Sequence, residues 1–94
     1  MIIRGSKLAT VVDDDPEMRK LLRAFLGRLS FDVDEAATGR GALALLERRM
    51  PSLICLDLML PELSGYEICE WIRASPHLHD VPVMIVSARG MPED

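Results

Sequence analysis

"LICLDLMLPELSG", residues 53–65, is the stretch on which the fold turns. Four apolar residues, Leu53 to Leu56, run straight into a carboxylate, Asp57, and Pro61 and Gly65 follow soon after. A short apolar run bounded by turn-forming residues reads as a strand covered on both faces, the kind found inside a parallel sheet. A lone carboxylate ending such a strand holds an expensive position unless something compensates it. Ser64 and Glu67 have the S-x-x-E spacing of a capping box. A helix is therefore expected to begin near Gly65, to bury Ile68, Trp71 and Ile72, and to stop at Ser75-Pro76.

Working outward, Leu8 to Val12 is apolar and rich in β-branched residues until "DDDP" stops it. Asp15 followed by Pro16 is a good N-cap and first-turn pair, because proline's missing N–H costs nothing there. Met18, Leu21, Leu22, Phe25, Leu26 and Leu29 then form one stripe of an amphipathic helix. "FDVDEA" at 31–36 alternates apolar and acidic residues, as a strand does when it is wet on one face or lies at a sheet edge. "GRGALALLERRM" at 39–50 predicts a second helix with Ala42, Leu45 and Leu46 inward and Pro51 ending it. "VPVMIVSA" at 81–88 predicts a fourth strand, apolar on both faces. Strands alternating with helices imply right-handed βαβ units, hence an α/β protein with a doubly wound parallel sheet. Ligands of such sheets sit at the carboxyl ends of the strands.

The bulk numbers agree with one domain, residues 1–94, of which residues 1–6 are expected to be flexible or a cloning remnant. A chain of this size buries only about 60–65% of the surface its unfolded form exposes, so its core is modest. With 49% hydrophobic and 28% charged residues, disorder is not expected over most of the length. The net charge of −4 and the lack of any Lys/Arg run argue against a surface that contacts nucleic acid directly. The N-terminal apolar run is too short for a membrane span and ends in "DDD", so it is no signal peptide either. Cys55 and Cys69 lack C-x-x-C or histidine spacing and read as buried, reduced thiols of a cytoplasmic protein. "HLHD" at 77–80 is not a metal-ligand spacing on a polar loop, Trp71 is assigned to the core, and "TGRGA" fits no phosphate-binding glycine pattern.

The chemistry collects at strand ends. Asp13 and Asp14 follow the first strand, Asp57 the third and Ser87 the fourth, so neighbouring strands would bring all four to one rim. Carboxylates crowded together raise one another's pKa, and a hard divalent cation with oxygen ligands relieves them. Mg²⁺ suits one or two direct carboxylates, a backbone carbonyl and waters, above all where phosphate also binds. A carboxylate facing that cation can attack a phosphoryl group and form an acyl phosphate, with Ser87 donating to a phosphoryl oxygen.

"LATVVDDDPEMRKLL", "LICLDLMLPELSGYE" and "VPVMIVSA" resemble, in order and spacing, the receiver domain of two-component response regulators, over Lys7 to Ala88. The resemblance implies a flavodoxin-like fold with strand order 2-1-3-4, incomplete after the fourth strand, and a signalling domain rather than an enzyme. It implies that Asp57 is the phosphoacceptor, supplied by a histidine kinase or a phosphotransfer protein. Asp14 would ligate Mg²⁺ directly together with Asp57, Met59 would offer its backbone carbonyl, and Asp13 would act through water. Pro61 and Gly65 would shape the loop, Ser87 would stand where the family has a Thr or Ser, and Ala88 would leave room beside the site.

One departure concerns the last part of such a domain. Receivers continue with a fourth helix, a fifth strand ending in a Lys, and a fifth helix, whereas this sequence ends at Asp94 and its lysines are Lys7 and Lys20. Arg89 is near enough in sequence to substitute, though an exposed position is expected for it. An apolar fourth strand with nothing after it to flank or cover it is expected to associate, forming a homodimer through that strand or through bare sheet faces. A second reading is therefore a receiver that works without phosphorylation, as an interaction or dimerisation module. A phosphatase of the haloacid-dehalogenase type is disfavoured, because the second acid it needs two residues after the nucleophile is here Met59.

Overall fold

Asp15, Thr38 and Ser64 each cap the start of a helix, and these three caps pace the architecture. The computed structural model describes residues 7–86. The elements are β1 (Lys7–Val12), α1 (Pro16–Arg28), β2 (Phe31–Ala36), α2 (Gly39–Arg48), β3 (Leu53–Leu56), α3 (Gly65–Ala74) and β4 (Val83–Ile85). The expectations for residues 1–6, Ser87, Ala88 and Arg89 lie outside the described residues. The Asp15 carboxylate accepts the Glu17 N–H at 2.9 Å, and the Thr38 hydroxyl accepts the Gly41 N–H at 3.0 Å. At α3 the capping box is complete: Ser64 Oγ accepts from Glu67 N, and Glu67 Oε1 accepts from Ser64 N. Such a cap contributes about 1 kcal/mol.

The four strands form one parallel sheet in the order β2-β1-β3-β4, as the resemblance implied. Val12 pairs with Ala36 on one side and Leu56 on the other, and Leu56 pairs with Ile85, so the carboxyl ends of all four strands are level. The alternating acidic strand, β2, is an edge strand. Two of its carboxylates are held by arginines: Asp34 by Arg49, just past the end of α2, at 3.2 Å, and Glu35 by Arg19 and Arg23 of α1.

The core divides between the two sheet faces very unequally. On one face Val12, Ala36, Ile54 and Leu56 meet Ala42 and Leu46 of α2, Ile68 and Ile72 of α3, and the loop residues Leu60 and Leu78, with Leu45 and Trp71 packed against them. On the other face Ala9, Val11 and Cys55 meet a single fully buried helical side chain, Leu26 of α1. A buried leucine or isoleucine contributes about 1.5–3 kcal/mol, so most of the stabilisation lies on the α2 and α3 face.

Three expectations need correction. The α1 stripe is only partly inward: Leu26 is buried, Met18 and Leu22 are half-buried, and Leu21, Phe25 and Leu29 are exposed. The reason is that α1 covers its face of the sheet alone among the described helices, so one flank of its apolar arc has nothing to meet. α2 ends at Arg48 rather than Met50, because Met50 precedes Pro51 and Arg49 adopts extended backbone while its guanidinium reaches Asp34. The strand expected over 81–88 is realised, among the described residues, as Val83–Ile85, with Met84 39% and Ile85 46% exposed.

"HLHD" has a structural purpose. Ser75 Oγ accepts from the His77 and Leu78 N–H groups, and the turn buries Leu78 between two exposed histidines. Cys55 is buried and Cys69 half-buried, both as free thiols, and burial pushes the Cys55 thiol up. No helix among the described residues is long and apolar enough to cross a membrane.

Ser30, between α1 and β2, has φ 68, a left-handed conformation that costs a non-glycine residue about 1–2 kcal/mol. Ser30→Gly keeps the 3.0 Å bond from its N–H to Gly27 O and is expected to stabilise the chain by up to about 1 kcal/mol, after the greater freedom of glycine in the unfolded state is subtracted. The midpoint of urea unfolding measures this. Glu35 supplies a pH dependence. The hydrogen bond from Arg23, above all, and that from Arg19 hold its carboxyl below the ordinary 4.5, against the opposing effect of burial. Its contribution to stability is complete above 4.5 and is lost as pH falls through the lowered folded value. Thermal unfolding of Glu35→Gln is accordingly expected to depend less steeply on pH on the acid side of 4.5 than that of the unmodified chain.

Candidate functional site

The level strand ends determine where the acids emerge. Asp57 N–H donates to Val12 O at 3.0 Å, and Asp13 N–H donates to Ala36 O at 3.1 Å, so β1 releases Asp13 beside the point where β3 releases Asp57. One carboxylate oxygen from each of Asp13, Asp14 and Asp57 lies within 4.8 Å of the others. Asp13 is 4% and Asp57 3% exposed, while Asp14 is half-buried. Burial, foremost, and the negative charges of Asp57, Asp14 and Asp15 push the Asp13 carboxyl up, although the N–H of Asp15, which donates to Asp13 Oδ1 at 2.9 Å, pulls the other way. A site that disfavours its own ionised carboxyl is short of positive charge. Its donors are all hard oxygens, so it fits a small divalent cation such as Mg²⁺ better than a thiolate- or imidazole-seeking metal.

The chain after Asp57 explains why a proline and a glycine follow it. Asp57 Oδ1 accepts the Met59 N–H at 2.9 Å, a local turn that bends the chain away as soon as β3 ends. Leu60 swings back into the core at 7% exposure, and Glu62 takes a left-handed φ of 65. The loop then returns so closely that a Cβ on Gly65 would lie 2.5 Å from Asp57 O and 2.6 Å from Leu58 Cα. Backbone occupies both directions, so no small shift of a side chain could admit a larger residue at the start of α3.

The structure thus brings Asp13, Asp14 and Asp57 together with Met59 beside them. Ser87 lies outside the described residues; its sequence neighbour Val86 donates its N–H to Leu56 O at 3.0 Å. His77 and His79 take no part, and His79 Nδ1 lies 3.1 Å from Asp80. Two residues escaped the sequence reading. Gly39, at the start of α2, faces the same loop, and its Cβ would fall 2.8 Å from Leu63 O. The signal present was a glycine directly after a helix cap, within "TGRGA". Arg19 donates from Nη1 to Asp13 O at 2.8 Å, and no local spacing announces that contact.

Comparison with known proteins agrees with this geometry. Residues 9–94 match the model of the response regulator receiver domain. The chain is 36% identical over 84 residues to the DNA-binding dual master transcriptional regulator RpaA of Synechocystis, and 39% identical over 80 residues to the phosphate regulon transcriptional regulatory protein PhoB of Rhizobium meliloti. These alignments take in 89% and 85% of this chain but 35% of each relative, so the chain spans about a third of their length. Among solved structures, the signal receiver domain of a signal transduction histidine kinase from Syntrophus aciditrophicus superposes with a TM-score of 0.84 at 27% identity, covering 95% of this chain and 65% of that one. With the acidic cluster at the ends of β1 and β3 and the 2-1-3-4 sheet beneath it, these matches show that the chain belongs to the response regulator receiver domain family.

Proposed function

We propose that this receiver accepts a phosphoryl group on Asp57 from a phosphohistidine of a histidine kinase or phosphotransfer protein, inside the cell, with Mg²⁺ as its cofactor. The observation that carries the reading is the convergence of three carboxylates within 4.8 Å, with Asp57 held at the end of a buried strand. An Asp57 carboxylate oxygen attacks the phosphorus, the P–O bond forms as the P–N bond breaks, and the imidazole leaves with the bonding electrons and takes up a proton. The product is an aspartyl phosphate, a mixed anhydride that water can later cleave. Asp14 and Asp57 are the proposed direct ligands of the cation, with the Met59 carbonyl as a third and Asp13 acting through water. Bound there, Mg²⁺ supplies the positive charge that offsets the carboxylates and the incoming phosphoryl oxygens. The Met59 N–H, by holding Oδ1 of Asp57, orients the other carboxylate oxygen for attack. Ser87 is the proposed hydrogen-bond donor to the phosphoryl group.

Phosphorylation is proposed to act by changing an interaction surface. Transcriptional control, which the names of both relatives carry, is the proposed output of a protein of which such a receiver is one part. The net charge of −4 does not favour direct contact with DNA by this domain. A second copy of the chain is the proposed partner of the bare apolar surface. Among the described residues, that surface includes β4, outermost in the sheet, with Met84 and Ile85, and the groove of about 280 Å³ lined by Leu21, Ala24, Phe25 and Arg28.

Intact mass after incubation with Mg²⁺ and a small acyl-phosphate donor is expected to show one phosphoryl adduct, absent from Asp57→Asn. An unmodified mass for both would favour the phosphorylation-independent reading. Sedimentation equilibrium at micromolar concentration is expected to give a dimer that Ile85→Lys converts to a monomer. A folded, monomeric wild type rules out self-association.

A further inference from the structure

Among the described residues, the arginine that reaches the acidic turn bonds its backbone and not a carboxylate of the cluster. Arg19, on α1, has a side chain 20% exposed, donates from Nε to Glu35 Oε1 at 3.0 Å, and donates from Nη1 to the backbone oxygen of Asp13 at 2.8 Å. The Asp13 N–H is bonded to Ala36, the residue after Glu35 on β2. Asp13 is therefore gripped at both ends of its backbone, by β2 directly at the nitrogen and through Arg19 and Glu35 at the carbonyl. That carbonyl belongs to the peptide joining Asp13 to Asp14, so its orientation sets the direction of both side chains.

We infer that the Arg19–Glu35 couple is a positioning latch, which fixes the Asp13–Asp14 peptide and thereby sets the affinity of the acidic cluster for its divalent cation. The inference rests on the cation-binding reading of that cluster.

A purely structural tie between α1 and β2 does not account for Arg19. Arg23, one turn further along α1, already makes that tie twice, from Nε to Glu35 Oε2 and from Nη2 to Val33 O at 3.1 Å. What Arg19 adds is the bond into the acidic loop. Electrostatics alone gives the opposite sign, which makes the two roles separable. A guanidinium near a cation site repels the cation, so its removal should tighten binding by charge alone. Loss of an orienting partner behind the ligands weakens binding, typically about 10–100-fold. Lysine keeps the charge but lacks the planar fork that spans a carboxylate and a carbonyl together.

The test is calorimetric titration of Mg²⁺ alone into the unmodified chain, Arg19→Gln, Arg19→Lys and Arg23→Gln, with thermal unfolding of each measured in the absence of metal. The latch predicts that both Arg19 variants bind Mg²⁺ about tenfold more weakly or worse, and that Arg23→Gln binds like the unmodified chain, whatever it loses in Tm. Arg19→Lys keeps the test valid should Arg19→Gln fail to fold. Unchanged or tighter binding by the Arg19 variants overturns the latch, as does an equal loss in Arg23→Gln. Failure of the unmodified chain to bind Mg²⁺ overturns the cation-binding reading itself, and the latch with it.

Discussion

The parallel pairing of β1 with β3 is the constraint on which the rest depends. Val12 lies opposite Leu56, and the N–H of Asp57 closes onto Val12 O. With that register, one strand releases Asp13 and Asp14 at the level where the other releases Asp57. A slip of one residue would exchange every side chain between the two sheet faces and separate the acids as well. The apolar cores on both faces hold the register, since Val11 and Cys55 face one side while Val12, Ile54 and Leu56 face the other. Packing energy is thus what concentrates negative charge, and the buried carboxyl of Asp13, pushed up by that burial, registers the electrostatic cost.

The loop after Asp57 is restrained from several directions. Met59 N–H holds the carboxylate, Leu60 is sunk in the core, and glycines at the starts of two helices allow backbone to press against Asp57 and Leu63. No single one of these contacts is strong, but each removes a freedom that an incoming group would otherwise have to overcome. On the opposite side, the paired arginines on Glu35 join α1 to the edge strand and reach the acidic turn. The site is therefore supported by both layers of helices as well as by the sheet.

The two faces of the sheet are covered to different extents. Two helices and two loop leucines cover one face, and among the described residues α1 covers the other alone. Among the described residues, Leu21 and Phe25 on α1, Leu29 at its C-cap, and Met84 and Ile85 on β4 are exposed and leave apolar area open. The parallel sheet, which needs both faces dry, makes that area a property of the architecture rather than of any one residue.

Much of this was legible in the residues. The periods of two and 3.6, Asp15-Pro16, the Ser64–Glu67 box and the apolar run into Asp57 mark every element, because helix caps and strand alternation are set by neighbours in sequence. The strand order followed from family resemblance, and the grouping of the acids was conditional on it. What the tertiary structure alone decided was of another kind: which half of the α1 stripe is covered, that Gly39 faces Leu63, and that Arg19 holds the carbonyl of Asp13 while paired to a carboxylate sixteen positions away. A helical period shows that an apolar face exists but not what will meet it. That is settled only when hydrogen bonding between distant strands has fixed the sheet and each helix has found the surface left for it.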